Sequence, residues 1–275
     1  MIDKTKKNKN LNVSTEHILY LKAQKKEKNK VLIGRIGLLV GLLLIWELST
    51  LLNIADPFLT SSPSRIAQQF WILLTDGNLI KHSFITLYET IIAFTVSMLL
   101  GFVIAVLLFS SERTRKIIEP YLIIFNSLPK IALGPLLIVW VGAGTKVIIL
   151  MGFLICIIIT IVSLLNSFMS VSEEKIKLLQ TMGATKYQIL TKLVIPQSFP
   201  DIVSVLKINV GMSWVGTIMG EYLVSKAGLG YLIVYGGLIF KLDLVMTSIV
   251  VLCVLASLMY FLVAWLEKRV VKKRT

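Results

Sequence analysis

At 275 residues, 56% of them hydrophobic, and with a mean hydropathy of +0.81, the chain is too apolar for a soluble domain, whose apolar share runs at roughly 45–50%. The formal net charge of +14 does not mark a nucleic-acid binder, because the basic residues flank apolar runs instead of studding a soluble module with a recognition helix. Cys156 and Cys253 both lie inside apolar runs, which suggests neither a disulfide framework nor a metal site.

Residues 1–30 carry nine lysines around one mildly amphipathic stretch, HILYLKAQ, and lack the apolar core of a cleavable signal. They read as a cytoplasmic basic tail, and anionic lipid is one surface such a tail suits. Residues 31–270 then hold six stretches long and apolar enough to span a bilayer: 32–53, 84–109, 120–141, 146–170, 202–223 and 246–266. A short basic end, 271–275, follows. Six spans put both termini on one side. That side collects Arg113, Arg115, Lys116, Lys175, Lys177, Lys186, Lys192, Lys207, Lys268 and Arg269, whereas the other has only Arg65, Lys81, Lys146, Lys226 and Lys241. The positive-inside rule therefore predicts a multi-pass cell-membrane protein with both termini cytoplasmic.

Between the first two spans, SRIAQQFWILL predicts a helix on the outer surface with Phe70 and Trp71 as interfacial anchors. In the second span Glu89 stands about six residues from the outer end, close enough for its carboxylate to snorkel to water. The third span contains Asn126, Ser127, Pro129 and Lys130 near its middle, and Pro129 removes a backbone donor, which predicts a kinked or broken helix. A broken helix lining a cavity can present backbone groups and a cation to an anionic solute, so Asn126, Ser127 and Lys130 are candidates for the pathway wall. An ion pair between Lys130 and Glu221 is the competing role.

The stretch Glu173–Pro200 is polar between apolar neighbours, and its lysines at 175, 177, 186 and 192 exclude it from bilayer depth, where each would cost about 2.5–3.5 kcal/mol. Its apolar positions Ile176, Leu179, Met182, Ile189, Leu190 and Leu193 keep helical spacing on both sides of Gly183. That pattern predicts two short helices: Gly183 supplies a left-handed turn, Thr185 and Gln188 form a capping box, and Pro196 closes the second helix. The apolar face packs either on the protein's own rim or on a separate cytoplasmic protein.

The fifth span carries Asn209, Ser213, Trp214, Gly216, Gly220 and Glu221. Gly216 and Gly220 predict close helix packing, while Asn209, Ser213 and Trp214 are candidates to face a cavity. Residues 224–245 hold Gly228, Gly230, Gly236 and Gly237, which allow a plain loop or a re-entrant turn.

The loop with Gly183, Leu193, Ile195 and Pro196 resembles the coupling loop of ABC-importer permeases, with Lys177, Leu178 and Leu179 standing where that family has Glu-Ala-Ala. Similarity extends through SSPSRIAQQFW, SLPKIALGPLLIVWVGAG and SKAGLGYLI, features of the subfamily importing nitrate, sulfonates and taurine. The resemblance implies an all-α membrane protein with six transmembrane helices and the type I, MetI-like permease fold. It further implies docking of cytoplasmic ABC ATPase subunits on Lys177, Leu178, Leu179, Gly183, Ala184 and Pro196, an extracytoplasmic solute-binding protein, and a second permease copy forming a homodimer. In the resembling family the fifth span helps form the pathway, and Glu221 matches a family position at its outer end. No GxxxxGK[ST] phosphate loop, HExxH pair or GxSxG elbow occurs, so no cofactor is expected and ATP hydrolysis is assigned to a partner. The residues alone also admit an ion-coupled secondary transporter in which Lys130 and Glu221 handle ions.

Overall fold

Apolar composition and sparse proline force long helices, and the computed structural model, which describes residues 15–271, is built from helices and turns. The chain divides into two units, Met1–Ser64 and Arg65–Thr275.

In the first unit, α1 spans Thr15–Leu51, 37 residues or about 55 Å of continuous helix. It runs unbroken through position 30, so the described part of the basic tail continues the first apolar span as one helix; residues 1–14 lie outside the described residues. After a turn at Asn53 (φ 55°), the Asp56 side chain accepts the Phe58 N–H at 2.8 Å and starts α2, Pro57–Thr60. Glu47 ends up as a local acceptor: its carboxylate receives the Ser64 N–H at 3.0 Å and the Ser64 hydroxyl at 2.7 Å.

Helix α3 (Pro63–Thr75) leads into the second unit, and Trp71 on it is well exposed. Then come α4 (Asn78–Ser110), α5 (Glu112–Ser127), a 3-10 turn at Lys130–Leu133, α6 (Gly134–Val141) and α7 (Thr145–Met169). The loop forms α8 (Glu173–Thr181), α9 (Lys186–Ile189), a π turn at Leu190–Val194 and α10 (Ile195–Gln197). Finally come α11 (Phe199–Val224), α12 (Leu229–Leu238) and α13 (Leu242–Val271). Among the described residues five helices are long and apolar enough to cross a bilayer, and α5 with the Lys130–Val141 segment, bent by 84° at the break, has the length and composition of a sixth when the pair is counted as one span. The break falls at Leu128–Pro129, where Pro129 brings no N–H to continue the helix.

Helix α7 is the centre of this unit, packed against α4 on one side and α11 on the other. Small residues set the approach. A Cβ on Gly216 would sit 2.5 Å from the Gly152 Cα, one on Gly220 would sit 2.9 Å from the Ile148 Cα, and one on Gly152 would sit 2.8 Å from the Ala93 Cβ. Backbones thus touch where the helices cross, the packing expected of Gly216 and Gly220. Toward the loop, Met98, Ala105, Leu164, Phe168, Ile189, Leu190 and Val194 form one buried cluster, so the loop's inner face is part of the core.

Candidate coupling loop and transport pathway

The loop is held in shape by its own backbone. Helix α8 ends in paired bonds, Gly183 N–H to Gln180 O and Ala184 N–H to Leu179 O, both 2.9 Å, with Gly183 at φ 80°. One residue later the capping box forms: Gln188 N–H reaches Thr185 Oγ1 at 3.3 Å and Thr185 N–H reaches Gln188 Oε1 at 2.8 Å. Pro196 does not close the second helix, contrary to the sequence expectation. The chain stays helical to Gln197 because the π turn shifts the hydrogen bonds one residue ahead of the proline, with Ile195 N–H on Leu190 O.

Two faces result. Ile189, Leu190 and Val194 are buried, and Leu179, Ala184 and Pro196 are half-buried. Leu178 is 60% exposed, Met182 74% and Tyr187 74%, an apolar set facing away from the core. Exposed Lys177 holds Glu173 at 3.2 Å, a contact worth little at full exposure. Met182 and Tyr187 escape a sequence reading for a physical reason. Met182 fits the helical period of Ile176 and Leu179, yet it occupies the cap position where the chain leaves the helix, which swings it outward.

The bent pair presents Asn126 and Ser127 on an exposed face, with Ser127 Oγ donating to Ile123 O at 3.0 Å; Lys130 is half-buried just beyond the break. Lys130 and Glu221 do not form an ion pair. The Glu221 carboxylate instead accepts the Thr86 hydroxyl at 2.6 Å and the Gly230 N–H at 2.5 Å. Asn209, Ser213 and Trp214 point into the protein rather than onto an open face. Asn209 Nδ2 donates to Thr160 Oγ1 at 2.9 Å, Ser213 Oγ donates to Val210 O at 2.8 Å, and Trp214 packs with Val210 and Val263. Glu89 does not snorkel: it is 1% exposed and turned inward on α4. An apolar groove of about 550 Å³ between α4, α11 and α13 has Thr95 and Glu267 as its polar lining, which suits hydrocarbon and not a charged solute.

A bundle with a broken span and a self-capped surface loop defines a transport subunit that is driven from outside itself. The chain belongs to the family described as the binding-protein-dependent transport system inner membrane component, whose model matches residues 97–272. It is a membrane-embedded permease subunit of an ABC-type importer, with ATP hydrolysis in separate subunits and solute delivered by a binding protein.

Among its relatives, a probable ABC transporter permease protein of Haemophilus influenzae is 29% identical, covering 84% of this chain and 94% of that protein. The taurine transport system permease protein TauC of Escherichia coli is 25% identical, with 85% and 87% covered. The formylaminopyrimidine transport permease protein ThiX of Halalkalibacterium halodurans is 30% identical, with 69% and 75% covered. Among solved structures, an inward-facing MetNI methionine ABC transporter superposes with a TM-score of 0.62 at 22% identity, covering 73% of this chain and 98% of that one. This likeness carries the fold, which is the expected MetI-like one.

Proposed function

We propose that this permease carries a small anionic, sulfonate-like solute and works as a pair of identical copies, with the Glu173–Gln197 loop on the cytoplasmic side seated in a cleft of the ATPase. The observation that carries the docking role is the exposed apolar set Leu178, Met182 and Tyr187 on a loop whose opposite face is locked into the core. Such a set in water asks for a partner, and Lys177 beside it suits an acidic rim. Gly183 and Ala184 keep the turn low enough for close approach, while Leu179 and Pro196 hold the loop from beneath.

Both termini are cytoplasmic in this reading, because the basic residues gather at the loop end. Asn126, Ser127 and Lys130 form the pathway wall. In a single chain that wall is open, and Asn126 and Ser127 are exposed at membrane depth, so a second copy supplies the facing wall. The taurine-named relative agrees with a cation at the break. Asn209, Ser213 and Trp214 stand behind the wall and tie α11 to its neighbours. During transport, ATP binding draws the two loops together, and solute is released because it and ATP favour different states.

The test is purification of the tagged chain from its native membrane, with whatever comigrates identified. An ATPase is expected in stoichiometric amount and is expected to be lost with Met182→Asp and with Gly183→Lys. If both variants keep it, the loop is not the docking element. If the parent purifies alone and moves solute in ATP-free liposomes, coupling to an ATPase is wrong.

A further inference from the structure

The first turn of α12 gives three consecutive backbone N–H groups to side chains of two other helices. Gly228 N–H goes to His82 Nδ1 at 2.8 Å, Leu229 N–H to Thr86 Oγ1 at 2.7 Å, and Gly230 N–H to Glu221 Oε2 at 2.5 Å. Every helix starts with N–H groups that lack an internal partner, and a side chain at the N-cap usually takes one of them. Here the N-cap is Gly228, which has no side chain; two of the acceptors come from α4, more than 140 residues away, and the third from the last turn of α11.

The receptor is shaped for this one turn. His82 and Thr86 lie four residues apart on one face of α4, and the Thr86 hydroxyl passes its own hydrogen to Glu221 Oε1 at 2.6 Å, joining α4 to α11. Space is reserved for the glycines: a Cβ on Gly228 would collide with the Glu221 carboxylate, and one on Gly230 would sit 2.7 Å from its Oε2. Glu89, one turn along α4 from Thr86, is itself buried, at 1% exposure. The same turn carries Tyr231, stacked on His82 at 5.9 Å, and Leu229 and Leu232 buried beneath it. Sharp backbone positions bound the piece, Gly228 at φ 117° and Phe240 at φ 55°.

We propose that His82, Thr86 and Glu221 are positioning residues for transport: they latch the N-terminus of α12, and its docking and release set access to the pathway at the end opposite the loop. All three bonds are short and leave one turn in one direction, so a small displacement of α12 breaks them together. In this proposal α12 is either docked, with all three bonds made, or undocked. The transport role rests on the permease reading above, whereas the latch is a property of this chain by itself.

The experiment uses the full chain in membrane vesicles with exposed Cys253 replaced by Ser and Leu232, 6% exposed, replaced by Cys. Reaction with a water-soluble maleimide then reports undocking of α12, and the buried native Cys156 in α7 reports general loosening. Thr86→Val, which strands the Leu229 N–H, is expected to speed labelling at position 232 by about tenfold with Cys156 unchanged. Glu221→Gln is expected to do the same. Thr86→Ser, which keeps the hydroxyl in place, is expected to stay near the parent rate. With the ATPase bound, Thr86→Val is expected to lower solute uptake while ATP hydrolysis persists. The latch is overturned if Thr86→Val and Glu221→Gln leave labelling unchanged, or if Cys156 labelling rises in step. The positioning role is overturned if labelling rises and uptake does not change. Labelling needs no ATPase, so failure of the permease reading shows separately as an ATPase that never comigrates.

Discussion

Gly216→Ala tests the backbone contact at the centre of the bundle. The added methyl would lie 2.5 Å from the Gly152 Cα and 3.1 Å from its N, and neither atom can rotate out of the way. The helices would have to part, and overpacking of this kind costs about 1–3 kcal/mol. Alanine returns roughly 0.5–1 kcal/mol of helix propensity, which leaves a net loss between about 0 and 2.5 kcal/mol. Gly211 is the matched control on the same helix, exposed and with nothing within 4 Å of an added Cβ. There alanine keeps only the propensity gain. The propensity gain is common to both variants, so they should differ by the overpacking cost alone, about 1–3 kcal/mol, which at roughly 2–4 °C per kcal/mol for a chain of this size is about 2–12 °C in Tm. Thermal unfolding of the purified variants in one detergent, followed by Cys156 exposure, measures the gap. Equal Tm values for the two would mean that α7 and α11 do not touch through their backbones here.

Two further outcomes follow from local geometry. Thr185→Ala removes one half of the capping box and should loosen the start of α9 by about 1 kcal/mol, seen as faster proteolysis at Ala184 with the bundle intact; Thr185→Ser should restore resistance. Lys207 and Glu267 pair at 2.5 Å between α11 and α13, with about a quarter of each side chain exposed. Removing Glu267 alone should cost more than removing both partners, because a half-buried ammonium is left unpaired, and a double-mutant cycle on Tm reads the difference.

What the sequence discloses is what neighbouring residues decide among themselves. The Gly183 turn and the Thr185–Gln188 box need only residues a few positions apart, and both appear as spacing implies. Gly216 and Gly220 reveal a packing face because no other composition allows backbones so close. Pro129 marks the break because a missing donor is a covalent fact. The misplaced residues are those whose direction is set from a distance. Glu89 lies on a helix that is apolar almost all round, so periodicity cannot say which face turns inward. Asn209, Ser213 and Trp214 look like cavity residues by type, yet the α4–α7–α11 crossing puts them inside. Pro196 looks like a terminator, and only the π turn ahead of it, stabilised by burial of Leu190 and Val194, lets the helix pass.

The capped loop has a consequence for engineering. Its two helices are fixed to each other by their own hydrogen bonds, and its inner face shares a cluster with Met98, Leu164 and Phe168. It is a rigid lever keyed into the bundle, not a tether, so a load applied at Met182 is delivered to α4 and α7 without slack. On the docking role proposed above, a chimaera that grafts another permease's loop between Ser172 and Ser198 is expected to bind a foreign ATPase and still fail to couple it, unless the sockets on α4 and α7 are exchanged with it.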